Sequence, residues 1–146
     1  MTLLDAYALV AFLAGGPATS RVRGLLREGD AVVATANLAE ALDVSQRVHG
    51  VSVARAMEIL EPLLEGPLKA MPLDLSVARR AAEIRARHYH RSTRPISLAD
   101  AILIASAAPD GRIATADPDV LAVAELEGLQ SVALPGQGRS EGVSSS

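Results

Sequence analysis

Four acidic residues could do chemistry. Asp5, Glu40 and Asp117 lie where an extended apolar run gives way to a helix, and Asp100 is the single acid in the first turn of an apolar helix. Taken singly, each acid suits the first turn of a helix, where the helix dipole favours a carboxylate by about 0.3–1 kcal/mol. Taken together at one edge of a fold, three or four carboxylates would repel one another unless a divalent cation neutralised them. The acids are therefore either helix caps or the parts of one metal site.

A metal site of this kind would bind Mg²⁺ or Mn²⁺, because both ions suit oxygen ligands and Mg²⁺ keeps bound water. The chain has no cysteine, which excludes thiolate ligands and cysteine nucleophiles. A divalent ion held by carboxylates can activate water and stabilise charge on a leaving oxygen. The chemistry that fits is hydrolysis of a phosphodiester bond, with Asp119 as a candidate fifth acid.

Composition and motifs exclude several other functions. The net charge of −3 is not that of a basic nucleic-acid binder, and two tyrosines and one phenylalanine are too few for a base-stacking surface. No glycine-rich loop follows Thr2–Leu4, and no Gly-Lys-Ser/Thr motif occurs, so dinucleotide binding and P-loop hydrolysis lack their parts.

The elements that must position the acids are short aliphatic strands and amphipathic helices. Strands are predicted at Thr2–Asp5, Ala31–Ala34, Leu68–Met71, Arg112–Thr115 and Gln130–Leu134. Helices are predicted at about 6–13, 18–28, 37–49, 53–64, 96–105 and 118–127, with one more after Asp74 or Ser76. The predicted N-caps include Thr35, Ser52, Ser97 and Asp117. The alternation is typical of a parallel sheet covered on both faces.

In such sheets, ligands bind beyond the carboxyl ends of the strands. Asp5, Glu40 and Asp117 fall at that edge by their place in the pattern. Asp100 joins them only if its helix points its first turn at the same edge.

The length of 146 residues fits one domain. We expect this domain to span residues 1–135 and residues 136–146 to be a disordered tail, because the tail has few apolar residues. No apolar run reaches the roughly 18 residues that a membrane-spanning helix needs, so we expect a cytoplasmic protein without a membrane partner.

Four short motifs that carry the acids resemble those of the PIN-domain nucleases. They are Leu3-Leu4-Asp5-Ala6, Leu38-Ala39-Glu40, Ser97-Leu98-Ala99-Asp100-Ala101 and Ile113-Ala114-Thr115-Ala116-Asp117. The resemblance keeps order and spacing over about residues 1–135, and the third motif is the most specific. In size the chain is similar to the VapC-type toxins of bacterial toxin–antitoxin pairs.

The resemblance implies a three-layer α/β/α fold around a mostly parallel sheet of four to five strands. It also implies a metal-dependent endoribonuclease with Asp5, Glu40, Asp100 and Asp117 as the catalytic, metal-binding acids. The cofactor would be Mg²⁺ or Mn²⁺, the substrate RNA, and the partner a small antitoxin protein.

The chain departs from the family pattern near two of the acids. Family members often carry Ser or Thr soon after the first aspartate and Arg before the last one, whereas this chain has Ala6, Tyr7 and Ala116. These departures leave the acids in place but remove an assisting hydroxyl or phosphate contact. Thr115 keeps the hydroxyl at the strand end.

Candidate RNA contacts are Arg85, Arg91, Arg94 and Thr115, because a phosphate must be held beside a negative cluster. The alternative for the arginines is a solvated helix face and loop. Two other functions remain open: a PIN-like RNA-processing nuclease without antitoxin, and a catalytically idle protein-binding domain. Apolar residues in the helical pair 37–64 indicate a homodimer or a partner groove.

Overall fold

The computed structural model describes residues 1–136, in which short strands and helices follow one another. The strands are β1 Thr2–Leu4, β2 Ala31–Ala34, β3 Leu68–Met71, β4 Arg112–Thr115 and β5 Gln130–Ala133. The helices are α1 Ala6–Ala14, α2 Thr19–Glu28, α3 Thr35–His49, α4 Val53–Leu64, α5 Leu75–His88, α6 Leu98–Ala107 and α7 Pro118–Leu126. The predicted tail, residues 136–146, lies outside the described residues except for Gly136.

All five strands form one parallel sheet in the order β3-β2-β1-β4-β5. In the centre of the sheet, Leu3 of β1 pairs with Val32 of β2 on one side and with Ile113 of β4 on the other. The chain first winds outward from β1 to β3 and then crosses to β4. The predicted α/β class and parallel sheet are confirmed.

Successive strand residues pack into two cores on opposite faces of the sheet. Leu3 and Ile113 belong to the core formed with α5, α6 and α7. Leu4 and Ala114 belong to the core formed with α1, α2, α3 and α4. Because side chains alternate between the faces of a strand, an unbroken aliphatic run is what a doubly covered sheet requires. The three-layer α/β/α arrangement is thereby confirmed.

Five of the seven described helices start with a side-chain cap, whereas α2 and α3 have Ala18 and Ala34 as N-caps and lack one. Ser52 and Asp74 accept hydrogen bonds from the amides of Arg55 and Val77, at 3.1 and 2.9 Å, as N-caps do. The prediction that Thr35 caps α3 is wrong: the N-cap is Ala34, which makes no side-chain cap bond, and Thr35 is already helical. The reason is that β2 passes into α3 without a loop.

None of the described helices combines the length and apolar character needed to cross a membrane.

The winding of the chain reverses between β1 and β4, which are neighbours in the sheet although β2 and β3 separate them in sequence. Crevices open at such points, beyond the carboxyl ends of the strands, because the connections after the two strands leave toward opposite faces. Here α1 follows β1 and α7 follows β4, on opposite faces. This edge is where three of the four acids were expected.

Candidate active site

Asp5 lies directly after β1 and caps α1. Its Oδ1 atom accepts a hydrogen bond from the amide of Ala8 at 2.9 Å, and the residue is 8% exposed. Burial raises the pKa of Asp5 from its ordinary value of 3.8 to about 6, although hydrogen bonds from Thr115 and Ala8 oppose the rise. The charges of Asp100 and Glu40 add to it. The folded environment of Asp5 thus disfavours the ionised form of its carboxyl group.

Thr115, the last residue of β4, connects two of the acids. Its side chain is fully buried and forms a hydrogen bond with Asp5. Its Oγ1 atom also accepts a hydrogen bond from the amide of Asp117 at 3.1 Å. Asp117 in turn caps α7 by accepting from the amide of Asp119 at 2.8 Å. One hydroxyl therefore sets the separation between Asp5 and the start of α7.

Asp100 lies in the first turn of α6, where it forms the predicted capping box with Ser97. The amide of Ser97 donates to Oδ2 of Asp100, and the amide of Asp100 donates to Oγ of Ser97, each at 3.0 Å. Burial raises the pKa of Asp100 despite these bonds, and the charges of Asp117 and Asp119 raise it further. The capping bond uses Oδ2 of Asp100, and the neighbouring charges that raise its pKa are those of other acidic residues.

Glu40 is exposed and projects from α3, the helix that follows β2. Partial burial raises its pKa, and the charges of Asp100 and Asp43 add to the rise. The pKa values of Asp5, Glu40 and Asp100 thus all move in the same direction, and each is affected by the charge of at least one other acid of the group.

The four acids line one cleft of about 410 Å³ at the carboxyl edge of the sheet. The residues around it are Asp5, Ala6, Tyr7, Asn37, Glu40, Asp100, Ala116, Asp117 and Gly136. None of these residues is basic, and none of the four carboxylates forms an ion pair within residues 1–136. The cleft therefore concentrates negative charge that the described part of the chain leaves unbalanced.

The oxygen donors of the cleft fit a hydrated Mg²⁺ or Mn²⁺ ion. In the present side-chain arrangement, no three of the described His, Asp and Glu residues are close enough to enclose an ion. A hydrated ion bridges such distances, because Mg²⁺ usually keeps several waters and binds only one or two carboxylates directly. Asn37 adds a further acceptor, since its buried Oδ1 has no hydrogen-bond partner among the described residues.

The PIN domain family model matches residues 2–126, which is most of the chain. The chain belongs to the PIN-domain family. No curated protein sequence is similar enough to this PIN domain to count as a relative.

Solved structures resemble this PIN domain over most of its length. FitAcB from Neisseria gonorrhoeae is 26% identical with a TM-score of 0.63, and the match covers 90% of this chain and 96% of that one. VapC20 from Mycobacterium tuberculosis, named a sarcin–ricin loop cleaving toxin, is 17% identical with a TM-score of 0.61, covering 97% and 95%. A toxin–antitoxin complex from Klebsiella pneumoniae is 15% identical with a TM-score of 0.59, covering 80% and 87%.

Of the predicted site residues, this PIN domain brings Asp5, Glu40, Asp100 and Asp117 to one cleft. Asp119 is not among the lining residues, although its charge raises the pKa of Asp100. Asp5, Glu40 and Asp117 were predicted from their positions after apolar stretches, and Asp100 from its place in the first turn of an apolar helix.

All four candidate RNA contacts lie outside the lining of the cleft, although Thr115 forms a hydrogen bond with Asp5, which lines it. Arg85 lies over the ring of Tyr89 at 4.3 Å and donates to the carbonyl of Ile96 at 3.1 Å, so its guanidinium supports the loop before α6. Arg91 is exposed and Arg94 is half-buried. Contact of these side chains with RNA stays a prediction.

Sequence reasoning missed two residues of the cleft. Tyr7 was noted only as a departure from the family pattern, yet its hydroxyl donates to the carbonyl of Pro135 and so keeps Gly136 beside the acids. Asn37 was assigned only to the start of a helix. The signal for Asn37 was its position three residues before Glu40, which places both on one face of α3.

Proposed function

We propose that this PIN domain is a Mg²⁺- or Mn²⁺-dependent endoribonuclease and the toxin of a toxin–antitoxin pair, acting in the cytoplasm. The observation that carries the proposal is the convergence of four carboxylates without a cationic partner on one cleft of the described chain. Unpaired acids that raise one another's pKa destabilise the fold, so a functional reason for keeping them is required. Binding a divalent cation supplies that reason.

Asp5, Glu40, Asp100 and Asp117 would hold the ion, directly or through its waters. When bound, the ion supplies a water activated for attack on phosphorus and neutralises charge on the phosphate. The chain's own residues position these acids: Thr115 links Asp5 to the amide of Asp117, and the capping box fixes Asp100. In the reaction, a new P–O bond forms from water while the bond to the leaving oxygen breaks.

The partner and substrate are supported by the structures that share the fold. One of them is named a toxin that cleaves the sarcin–ricin loop, and another is named a toxin–antitoxin complex. We infer by analogy that the substrate is RNA and that a small antitoxin protein binds this chain. Basic residues near the start of α6, Arg91 foremost, are proposed to contact the RNA backbone.

A homodimer is also proposed, through the helical pair α3–α4. Val48 and Val53, at the turn between these helices, are 61% and 43% exposed. Covering such side chains would remove apolar surface from water. Light scattering on the purified protein tests this, and a monomer at micromolar concentration would contradict it.

The decisive experiment for the nuclease is cleavage of single-stranded RNA by purified protein with Mg²⁺, with Mn²⁺ and with EDTA. We expect cleavage with either ion and none with the chelator, because uncompensated carboxylates repel a phosphate. Cleavage that survives EDTA contradicts the metal mechanism. A folded protein that binds neither ion and cleaves nothing supports the idle binding domain instead.

A further inference from the structure

Asn37 is the uncharged polar side chain of the cleft with an acceptor that the described chain leaves unsatisfied. The residue is 1% exposed and lies in the first turn of α3. Its Nδ2 group donates to the carbonyl of Ala99 at 3.4 Å, one residue before Asp100. Its Oδ1 atom is buried without a partner. Leaving a buried acceptor unpaired costs free energy, so such atoms usually have a function.

The contact with Ala99 determines which end of the amide group is left without a partner. A carbonyl oxygen accepts hydrogen bonds only, so the NH₂ end of Asn37 must face Ala99. If the amide were turned round, Oδ1 and the carbonyl oxygen of Ala99, both acceptors, would face each other. The unpaired end of Asn37 is therefore the oxygen.

The neighbours of Asn37 in the cleft cannot satisfy this oxygen. Glu40 and Asp100 accept hydrogen bonds but donate none when ionised. The two residues flank Asn37, since Glu40 is three positions along the same helix and Asp100 follows the carbonyl that Asn37 holds. A donor for Oδ1 must therefore come with whatever occupies the cleft.

We infer that Asn37 is a positioning residue whose Oδ1 accepts a hydrogen bond from a water in the hydration shell of the bound cation. This inference rests on the proposed metal-dependent function. A hydrated Mg²⁺ or Mn²⁺ ion brings positive charge to the carboxylates and O–H donors to Asn37 at once. The geometry favours contact through water, because no three acids enclose a bare ion among the described residues. The hydrogen bond from Nδ2 meanwhile joins α3, which carries Glu40, to α6, which carries Asp100.

The test measures cation binding rather than cleavage. Mn²⁺ is titrated calorimetrically into the wild type, Asn37→Leu and Asn37→Asp. We expect Asn37→Leu to bind Mn²⁺ about 10-fold more weakly, the lower end of the range for lost outer-shell partners of a metal site. Asn37→Asp keeps an acceptor at the same place, so it should bind at least as tightly as the wild type. Asn37→Ala replaces Asn37→Leu if the leucine variant does not fold.

Ser45 provides a matched control on the same helix. It is fully buried, and its Oγ atom also has no partner among the described residues, but it does not line the cleft. A serine hydroxyl can rotate and donate a hydrogen bond to the backbone carbonyl four residues earlier in the helix, whereas an amide oxygen cannot donate. Ser45→Ala should therefore bind Mn²⁺ as the wild type does.

A second probe separates contact through water from direct coordination. Hexaamminecobalt(III) resembles a fully hydrated Mg²⁺ ion, but its ammine ligands donate hydrogen bonds and do not exchange. If Asn37 accepts from the hydration shell, Asn37→Leu weakens the binding of this probe as well as that of Mn²⁺. Loss of Mn²⁺ binding alone would make Oδ1 a direct ligand and overturn the inference.

Two further outcomes keep the inference distinct from the proposed function. If the wild type binds Mn²⁺ and Asn37→Leu binds it equally well, the role of Asn37 is refuted while the metal site stands. If the wild type binds neither cation, both are refuted together.

Discussion

This protein has two clusters of charged residues in which the pKa values of the carboxyl groups shift in opposite directions. Glu127, just after α7, accepts from Nε2 of His88 at 2.6 Å and from Arg87 at 3.0 Å. Burial alone would raise the pKa of Glu127, but the hydrogen bonds from His88 and Arg87, with their charges, lower it. In the acid cleft, the pKa of Asp5 rises to about 6 instead.

The two clusters differ in whether their carboxylates have positively charged partners. The cluster around Glu127 is electrically balanced and joins the end of α5 to the end of α7. The cleft collects carboxylates without a cation among its lining residues. Glu127 has positively charged partners within the fold, whereas the acids of the cleft lack them, and we propose that a bound cation supplies the missing charge.

The largest effect is expected for Asp100→Asn, which should abolish RNA cleavage. In EDTA the variant should be as stable as the wild type or more stable by about 1 kcal/mol, because the change removes repulsion. An asparagine oxygen can still accept from the amide of Ser97, so the cap is kept. Thermal melts in EDTA and in Mg²⁺, beside a cleavage assay, measure both effects. Mg²⁺ should stabilise the wild type more than the variant, because binding to the folded state raises stability.

Asp74→Asn is the control for this experiment. Asp74 caps α5 by accepting from the amide of Val77 at 2.9 Å and is not among the residues of the cleft. Loss of its charge should cost a few tenths of a kcal/mol, which is about what the helix dipole contributes, and should leave cleavage intact. An Asp100→Asn protein that is less stable, responds to Mg²⁺ like the wild type and still cleaves RNA would refute the site.

The next effect concerns the pH dependence of stability through Asp5. The pKa of Asp5 is about 6 in the folded chain against an ordinary value of 3.8, so the folded state binds more protons between these values. In EDTA this group should make the protein less stable as the pH rises from about 4 to 6, with a total near 3 kcal/mol. Below that window the penalty is absent, and above it the penalty is complete.

Denaturant melts of the wild type and Asp5→Asn across this pH range measure the difference. Because the other titrating groups are shared, subtracting the two curves leaves the titration of Asp5 together with its coupling to Asp100 and Glu40. Asparagine has no carboxyl group to titrate, so the stability of the variant relative to the wild type should increase as the pH rises. Parallel curves would mean that the carboxyl is not perturbed in solution.

A smaller effect of opposite sign is expected for the balanced cluster. Glu127→Gln should lower the free energy of unfolding by about 1 kcal/mol, because it removes a charged partner from His88 and Arg87. It should leave cleavage and the response to Mg²⁺ unchanged. Glu58→Gln is the matched control, since the ion pair of Glu58 with Arg55 is exposed on both sides and should contribute almost nothing. A stabilising Glu127→Gln would erase the contrast between the two clusters.

The smallest effect is expected for Arg91→Ala. If the exposed Arg91 contacts a phosphate, its loss should weaken RNA binding a few-fold and reduce the slope of log affinity against log salt by about 1. Arg27→Ala, which removes an exposed arginine from α2, should leave the slope unchanged. If both variants have the same slope of log affinity against log salt, Arg91 is a solvated surface residue that does not contact RNA. Arg85 is unsuited to this test, because it also supports the loop before α6.

Local features of the sequence specify the helices and strands and the chemistry of the acids. The aliphatic runs specify strands buried on both faces, and β3 and β4 coincide with their predicted ranges. Capping is equally local: Ser97 and Asp100 satisfy each other's backbone amides within one turn, so their spacing alone predicts the capping box. The carboxylates that follow β1 and β4 could be predicted because parallel strands end at the same edge.

Contacts between segments that are distant in the sequence could be read only from the folded structure. The position of Asp100 beside Asp5 follows from the packing of α6, which no local pattern encodes. The bond from Asn37 to Ala99 spans 62 positions in the sequence. Thr115 was predicted as an RNA contact, and only its burial against Asp5 shows that its hydroxyl joins two acids. Periodicity and caps arise from neighbours in the chain, whereas a cleft is made by side chains that only the packed sheet and helices bring together.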